Sequence, residues 1–325
     1  MNILVTGGAG YIGSAAAEAL VKAGHAVTVY DSLVTGHKQA VPTDAAFVQA
    51  DLSDSYTLIE TLTREKFDAV MHFAASIEAG DSMKDPGRFF QNNFTNSVTL
   101  METAARAGVK RFVFSSTAAI FESSDEPLME DSPLGPTNVY GQTKLMVEQA
   151  LEWYRQIHGL HFASLRYFNA SGALPGRGEA HQPESHLIPL VLRVALNQSD
   201  SIGVFGADYP TPDGTCIRDY IHIADLVSAH LLALEGLKER DQLIYNLGSG
   251  NGYSVREVIE TARRVTGHPI PSKESPRRDG DSAILVASSE KIKRDLGWRP
   301  QHEDLHEIIS SAWAWHKWHP KGYTG

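Results

Sequence analysis

Cysteine, long apolar runs and an excess of positive charge are all scarce in this sequence of 325 residues. The single cysteine, Cys216, excludes an internal disulfide, and together with the lack of a signal-peptide pattern it predicts a cytoplasmic protein. No stretch approaches the roughly 20 apolar residues that a membrane helix needs. The formal net charge of -10 argues against a general nucleic-acid binder.

Metal-binding patterns are also missing. The 14 histidines show no ligand spacing such as HExxH, so we expect no metal. His72 lies at the end of an apolar stretch, where a histidine is more often a satisfied structural residue than a catalytic one.

Glycines are concentrated near the start of the chain. Gly7, Gly10 and Gly13 follow a predicted strand at 3–6 and precede a predicted helix, and a second strand ends at Asp31. This order is the context of a dinucleotide fingerprint, with the phosphates at the helix N-terminus. A carboxylate at Asp31 accepts from ribose hydroxyls and repels a 2′-phosphate, which favours NAD over NADP.

Strands and helices continue to alternate through the first half of the chain. The predicted strands end near Asp51, Phe73, Thr117 and Tyr167, and helices are predicted at about 92–107 and 140–158. The pattern predicts an α/β fold with a Rossmann-type, doubly wound parallel sheet and ligands beyond the carboxyl ends of the strands.

Tyr140 and Lys144 are four residues apart on a predicted helix and therefore share one face. A nearby ammonium lowers the pKa of a phenol, so a tyrosine tuned in this way takes a proton from an alcohol near neutral pH. A surface pair of no function is the alternative for the motif alone.

The alternation weakens after about residue 170. We therefore expect an NAD-binding Rossmann domain at 1–170 and a smaller α/β substrate domain at 171–325, with segments around 215–240 packing back on the first. Phe205 to Thr211 is predicted as a strand and turn, and Tyr245 to Gly250 as another.

The glycine motif, Asp31, Ser115-Ser116-Thr117 and Tyr140-x-x-x-Lys144 together resemble the extended short-chain dehydrogenase/reductase family. The resemblance implies that Tyr140 transfers the proton, that Lys144 lowers its pKa and that Thr117 hydrogen-bonds the reacting oxygen. The implied cofactor-binding residues are Gly7, Gly10, Tyr11, Ile12, Gly13, Asp31, Ser32, Asp51, Leu52, Phe73, Ala74, Ala75, Asn93, Ser115, Tyr140, Lys144 and Phe168.

The second half resembles the UDP-glucose 4-epimerase family within that larger group. The motifs are Arg166-Tyr167-Phe168-Asn169, Phe205 to Thr211, Arg218 to His222, Tyr245 to Gly248 and Arg277-Arg278-x-Gly280-Asp281. Guanidinium groups suit a diphosphate, and an apolar face suits uracil. The implied substrate-binding residues are Thr117, Asn169, Leu187, Phe205, Arg218, Arg278, Asp281 and Leu285.

The resemblance implies reversible interconversion of UDP-galactose and UDP-glucose through a transient 4-keto sugar, with tightly bound NAD. Dehydration is not expected, because no acidic pair follows Thr117. The alternative enzyme function is epimerisation of another UDP-sugar, with an N-acetylhexosamine or a pentose as the sugar. An inactive NAD and UDP-sugar sensor is the non-enzyme alternative. A homodimer through the helices at 92–107 and 140–158 is also implied.

Three features depart from the family pattern. Thr117 stands where many members have serine, and Ile77 stands where some have a lysine. Phe121-Glu122-Ser123 replaces an aromatic-glycine pair, which affects the loop expected beside the sugar. Leu285 is intermediate in size at the position associated with substrate choice, so acceptance of N-acetylated sugars stays open.

Overall fold

A computed structural model describes residues 1–278 and 281–323 of the protein. Gly280 of the Arg277–Asp281 motif lies outside the described residues. The strands are β1 (Asn2–Thr6), β2 (Ala26–Asp31), β3 (Ala46–Gln49), β4 (Ala69–His72), β5 (Arg111–Thr117), β6 (His161–Tyr167), β7 (Asn169–Ser171), β8 (Ile202–Phe205), β9 (Ile217–His222), β10 (Gln242–Leu247), β11 (Gly252–Ser254), β12 (Ser272–Ser275) and β13 (Ile284–Leu285).

The α-helices alternate with these strands. They are α1 (Tyr11–Lys22), α2 (Ser55–Arg64), α3 (Ala79–Ser82), α4 (Pro86–Phe89), α5 (Asn96–Arg106), α6 (Val139–His158), α7 (Leu187–Ala195), α8 (Ile223–Gly236), α9 (Val255–Thr266), α10 (Glu290–Leu296) and α11 (Leu305–Trp318). A π-helical segment, Phe90–Thr95, precedes α5.

The chain divides into two compact units, each built from more than one segment. The first unit comprises Met1–Glu122, Pro133–Arg166 and Val227–Tyr245. The second comprises Ser123–Ser132, Tyr167–Leu226 and Asn246–Gly325. Assignment of cofactor binding to residues 1–170 and substrate binding to 171–325 stays a prediction.

The first unit is built on a seven-stranded sheet in the order β10-β6-β5-β4-β1-β2-β3. Neighbouring strands from β3 to β5 pair in parallel, and Thr6 lies opposite both Tyr30 and His72. The carboxyl ends of these strands therefore share one edge. The strand order reverses direction between β1 and β4, and such a switch point opens a crevice for a ligand. The predicted fold class is confirmed.

Two local predictions differ from the structure, and a third is found in a sheet that no local pattern indicates. The helix expected from residue 92 begins earlier, as the π-helical Phe90–Thr95 continuing into α5, because Pro86 and the Asp85 cap start α4 just before it. The strand expected from Phe205 instead ends there, paired with β12. The strand containing Tyr245 joins the seven-stranded sheet beside β6, since four of its six residues are buried and long-range pairing decides its place.

Helix α6 positions the catalytic candidates of the first unit. The side chain of Asn138 accepts from the Gly141 N–H at 2.8 Å and caps its start, and Gly159 ends it in the left-handed conformation. Its buried face includes Val147 and Leu151, which belong to the same apolar core as β4 and β5. Because α6 is anchored at both ends and along one side, the residues of its first turns are held against the sheet.

The second unit has its own sheet and core. Strands β11, β9 and β13 are neighbours, β7 also pairs with β9, and β8 pairs with β12. Helices α7, α9 and α11 contribute Val191, Val258 and Ile308 to one apolar cluster. A capping box between Ser254 and Glu257 starts α9, as the sequence order Ser-x-x-Glu favours.

Candidate active site

The glycine loop after β1 is shaped by contacts that leave no room for side chains. Gly7 has a φ of +72°, and a Cβ there would lie 2.5 Å from the backbone nitrogen of Ala74. A Cβ on Gly13 would lie 2.2 Å from the Gly7 carbonyl oxygen. Gly10, which has no side chain to cap with, precedes α1, whose first residues are Tyr11 and Ile12. The loop therefore presents backbone at the N-terminus of α1, as an anion site requires.

Asp31 closes the far side of this loop at the end of β2. Its carboxylate accepts from the N–H of Ala9 at 2.9 Å and from the N–H of Leu33 at 2.8 Å, and the residue is buried. Each oxygen keeps a second lone pair for a ribose hydroxyl. The sequence analysis predicted the position of Asp31 but missed its part in holding the loop.

The neighbouring candidates occupy the ends of β2 and β3. Ser32 follows Asp31, and its hydroxyl accepts from the Val34 N–H at 3.4 Å. The Asp51 carboxylate accepts from the N–H and hydroxyl of Ser53 at 2.8 and 2.6 Å and so shapes its own turn. Leu52 is buried beside it.

The segment after β4 is fixed by a buried amide. Phe73, Ala74 and Ala75 follow β4 directly. Asn93 accepts from the Ser76 N–H at 2.8 Å and donates to the Ser76 carbonyl at 2.9 Å. A third hydrogen bond joins the Asn93 amide to the Thr143 hydroxyl on α6 at 3.3 Å. Asn93 therefore ties this segment to the catalytic helix.

Tyr140 and Thr117 are brought together at the start of α6 and the end of β5. Burial raises the pKa of Tyr140, and the hydrogen bond from Thr117 opposes that rise. Glu78 contributes a further increase through its charge. In the chain by itself, loss of hydration thus outweighs the stabilising contact with Thr117. That Lys144 lowers the pKa of Tyr140 stays a prediction.

Lys144 lies one turn further along α6 and is almost fully buried. Its ammonium donates to the Ser115 carbonyl at 2.8 Å and lies 5.9 Å from the centroid of the Tyr140 ring. Burial lowers the pKa of Lys144 to about 7. Only the protonated form of this lysine stabilises a phenolate.

A buried polar network behind this group was missed from the sequence. Glu148, one turn after Lys144, accepts from the Ser116 hydroxyl at 2.5 Å and from two nitrogens of Arg166. The Arg166 guanidinium also lies 5.2 Å from the ring of Phe121. The spacing of four residues from Lys144 is the signal that would have placed Glu148 on the same face.

His72 has the structural role that the sequence analysis favoured. Its Nδ1 is hydrogen-bonded to the Thr6 hydroxyl at 2.7 Å and its Nε2 to the Ser97 hydroxyl at 2.8 Å. Burial, followed by the charge of Lys144, lowers the pKa of His72 to about 3. With both ring nitrogens engaged, His72 stays neutral and joins β1, β4 and α5.

The second unit contains most of the predicted substrate-binding residues, three of which lie on one sheet. Leu285 of β13 lies opposite Arg218 of β9, and the Asn169 amide donates to the Asp219 carbonyl at 2.9 Å. Arg218 donates to the carbonyls of Ile217 and Ser282 and lies 3.6 Å from the Asp281 carboxylate. Arg218, predicted to bind the diphosphate, therefore already has a carboxylate partner, and an anionic ligand would compete with Asp281 for it.

Phe205 and Arg278 form a second pair in this unit. The guanidinium carbon of Arg278 lies 3.8 Å from the centroid of the Phe205 ring, so the arginine covers a face predicted to be open to uracil. Leu187 is the first residue of α7 and is partly buried. Phe168, assigned to the cofactor, is buried within this unit and donates its N–H to the Leu247 carbonyl at 3.2 Å.

Asp219 is a structural residue that the sequence analysis passed over. Its carboxylate accepts four hydrogen bonds, from the N–H groups of Ser249, Gly250 and Ala287 and from the Ser249 hydroxyl. Burial raises its pKa to about 6 against these contacts. Asp219 thus joins β9 to two loops beside the predicted substrate residues.

Comparison with known proteins places this geometry in a family. Residues 3–248 match the model of the "NAD dependent epimerase/dehydratase family". The chain is 49% identical to the UDP-glucose 4-epimerase of Halalkalibacterium halodurans, covering 100% of this chain and 98% of that protein. It is 50% identical to the UDP-glucose 4-epimerase of Streptomyces lividans, covering 98% and 97%.

A solved structure agrees with these relatives. The UDP-glucose 4-epimerase of Brucella ovis in complex with NAD is 42% identical, with a TM-score of 0.92 over 96% of this chain and 97% of that one. The chain belongs to the NAD-dependent epimerase/dehydratase family, and its cofactor is NAD. The glycine-rich loop, with no room for side chains at Gly7 and Gly13, and the carboxylate of Asp31 fit that cofactor. Within residues 1–278 and 281–323, no helix is both long and apolar enough to cross a membrane.

Proposed function

We propose that this enzyme, an isomerase, interconverts UDP-galactose and UDP-glucose through a transient 4-keto sugar. The observation that carries the proposal is the grouping of Thr117, Tyr140 and buried Lys144 at the carboxyl edge of the sheet that bears the glycine loop. The names of the full-length relatives support the same activity.

The residues of the first unit divide the chemistry. Tyr140 takes the proton of the sugar 4-hydroxyl and later returns it, and Thr117 steadies the same oxygen through its hydroxyl. When bound, NAD supplies the acceptor and donor of the hydride at C4. Protonated Lys144 lowers the barrier to phenolate formation, because a positive charge offsets the burial that otherwise raises the pKa of Tyr140.

The residues of the second unit hold the nucleotide. Arg218 and Arg278 bind the diphosphate, Phe205 and Leu187 contact uracil, and Asp281 accepts from a ribose hydroxyl. The existing contacts of these arginines, to Asp281 and to Phe205, keep them oriented before the ligand arrives. Firm binding of UDP leaves the sugar able to turn and present its other face.

Substitution of Tyr140 tests this function. We expect Tyr140→Phe to lower the rate of UDP-galactose conversion at least 100-fold, in the range of general acid–base catalysis, while the purified protein still contains NAD. Tyr154→Phe is the matched control, because Tyr154 lies on the same helix but bonds Glu102. Wild-type protein that binds NAD yet leaves both sugars unchanged would contradict the proposal.

A homodimer in the cytoplasm is part of the same proposal. Trp153 and Ile157 lie one turn apart on α6 and are 62% and 69% exposed, which supports an apolar contact through the neighbouring α5 and α6. Light scattering after gel filtration should give a dimer for the wild type and a monomer for Trp153→Glu. Trp318→Glu, also at an exposed tryptophan, should remain a dimer, and a monomeric wild type would exclude this assembly.

A further inference from the structure

A second group of ionisable side chains lies in the loop before α7, apart from the residues used above. Glu179, His181, Glu184 and His186 each direct one ligand atom into a space where all four atoms lie within 4.8 Å of one another. The sequence analysis expected no metal because it looked for HExxH. The spacing here is H-x-x-E-x-H, with a further carboxylate two residues before the first histidine.

The two imidazoles converge on shared carboxylate oxygens. His181 Nδ1 and His186 Nδ1 lie 2.9 and 2.8 Å from the same oxygen of Glu179, and His186 Nδ1 also lies 2.8 Å from Glu184. The side chains of Glu179 and Glu184 are only 6% and 1% exposed. Two carboxylates withdrawn from water in one small cluster need compensating positive charge. In the chain by itself protonated His186 supplies part of that charge, because Glu179, against the effect of burial, raises the pKa of the His186 imidazole.

We propose that this group binds one divalent transition-metal ion, with zinc as the preferred occupant. Two imidazoles and two carboxylates are a zinc ligand set, and four protein ligands make a closed, structural site. A divalent ion would displace the proton of His186 and balance the charge of both carboxylates. Calcium and magnesium prefer oxygen ligands alone and fit this set less well.

The surrounding structure holds the ligands in place. The Glu184 oxygen accepts from the N–H groups of Ser185 and His186 at 2.8 Å, which fixes the orientation of its carboxylate. Gly178, the residue before Glu179, packs against the Trp315 ring so closely that a Cβ there would lie 2.2 Å from it. The Gly178 N–H also donates to the Tyr323 hydroxyl at 3.2 Å. In metal sites, such supporting contacts orient the side chains that bind the ion.

The consequence of binding is local. His186 directly precedes α7, so an ion would clamp the loop to the start of that helix. Leu187, the first residue of α7, is among the proposed substrate contacts, and its placement would become more rigid. The inference concerns metal binding alone and does not depend on the proposed reaction.

Metal binding by the full-length protein tests the proposal. Untagged protein is stripped with a chelator and dialysed, then titrated with zinc alone, and bound metal is measured by mass spectrometry. We expect one zinc ion per chain, with affinity falling at least 100-fold in His181→Ala and in Glu184→Gln. His268→Ala, an exposed histidine elsewhere in the second unit, is the control and should bind as the wild type does.

Spectroscopy of the wild type keeps the test independent of how the variants fold. Cobalt added to the stripped protein should give the intense visible absorption of a four-coordinate site, and zinc should abolish it. Zinc-edge absorption should show histidine nitrogens at about 2.0–2.1 Å. A stripped wild type that takes up no ion, or variants that bind as tightly as wild type, would overturn the proposal.

Discussion

Glu148 and Arg166 form a bidentate ion pair in which the closest nitrogen and oxygen lie 2.7 Å apart. Both side chains are buried, each only 5% exposed. The pair joins the middle of α6 to β6, and the Ser116 hydroxyl donates to the same carboxylate from β5. Ser116 directly precedes Thr117, and Lys144 is one turn before Glu148. The network therefore links the strand that carries Thr117 to the helix that carries Tyr140 and Lys144.

Removing one charge from this pair should be costly. Glu148→Gln keeps the shape of the side chain but removes the negative charge of a buried ion pair, and breaking such a pair typically costs about 3–5 kcal/mol. We expect a loss of that size in the free energy of unfolding from urea titration. Glu152→Gln on the same helix, in a partly exposed pair with Arg155, should cost no more than about 1 kcal/mol.

A double substitution separates burial of charge from packing. Glu148→Met with Arg166→Met removes both charges and should recover most of the lost stability, because no unpaired ion remains. If Glu148→Gln and Glu152→Gln prove equally mild, the pair does not stabilise this unit.

A second prediction concerns the glycine loop after β1. A methyl group on Gly13 would lie 2.2 Å from the Gly7 carbonyl, with only backbone around it, so the loop must shift. We expect Gly13→Ala to lower the free energy of unfolding by about 1–3 kcal/mol. The purified protein should also lose its bound NAD, measured by absorbance after denaturation. Gly87→Ala, where no atom lies within 4 Å, is the control and should keep NAD; equal NAD content in both variants would contradict the prediction.

The sequence predicted the local parts of this fold better than the distant ones. Gly7, Asp31 and Thr117 follow strands whose apolar runs are readable one at a time, so their shared edge could be inferred. The place of β10 beside β6 could not, because some 75 residues separate the two and no local pattern records that pairing. The burial that raises the pKa of Tyr140 could not be predicted for a related reason, since burial depends on the whole fold while the Lys144 spacing is local.

The pH dependence of the free energy of unfolding should reveal that His72 is buried in its neutral form. Its pKa is about 3 in the folded chain against 6.5 for an ordinary histidine, so between these values the unfolded chain binds a proton that the folded chain does not. The free energy of unfolding should therefore fall as pH decreases from about 6.5, by up to about 1.4 kcal/mol per pH unit from this residue. Urea titrations at several pH values measure the slope.

Two variants isolate that contribution. His72→Gln removes the titrating ring and should show a shallower slope between pH 6 and pH 4 than the wild type. His268→Gln, at an exposed position, should retain the wild-type slope. Identical slopes in the wild type and His72→Gln would show that His72 takes up its proton without unfolding.

Leu285 gives a prediction on substrate range that depends on the proposed function. It lies in β13 opposite Arg218 and is partly buried, so a larger side chain takes up space beside a proposed diphosphate contact. We expect Leu285→Tyr to lower kcat/KM for UDP-N-acetylglucosamine about tenfold or more relative to UDP-galactose, and Leu285→Ser to shift the ratio the other way. Ile284→Val is the control, because successive strand residues face opposite sides of the sheet. Unchanged ratios in both Leu285 variants would place the determinant of sugar choice elsewhere.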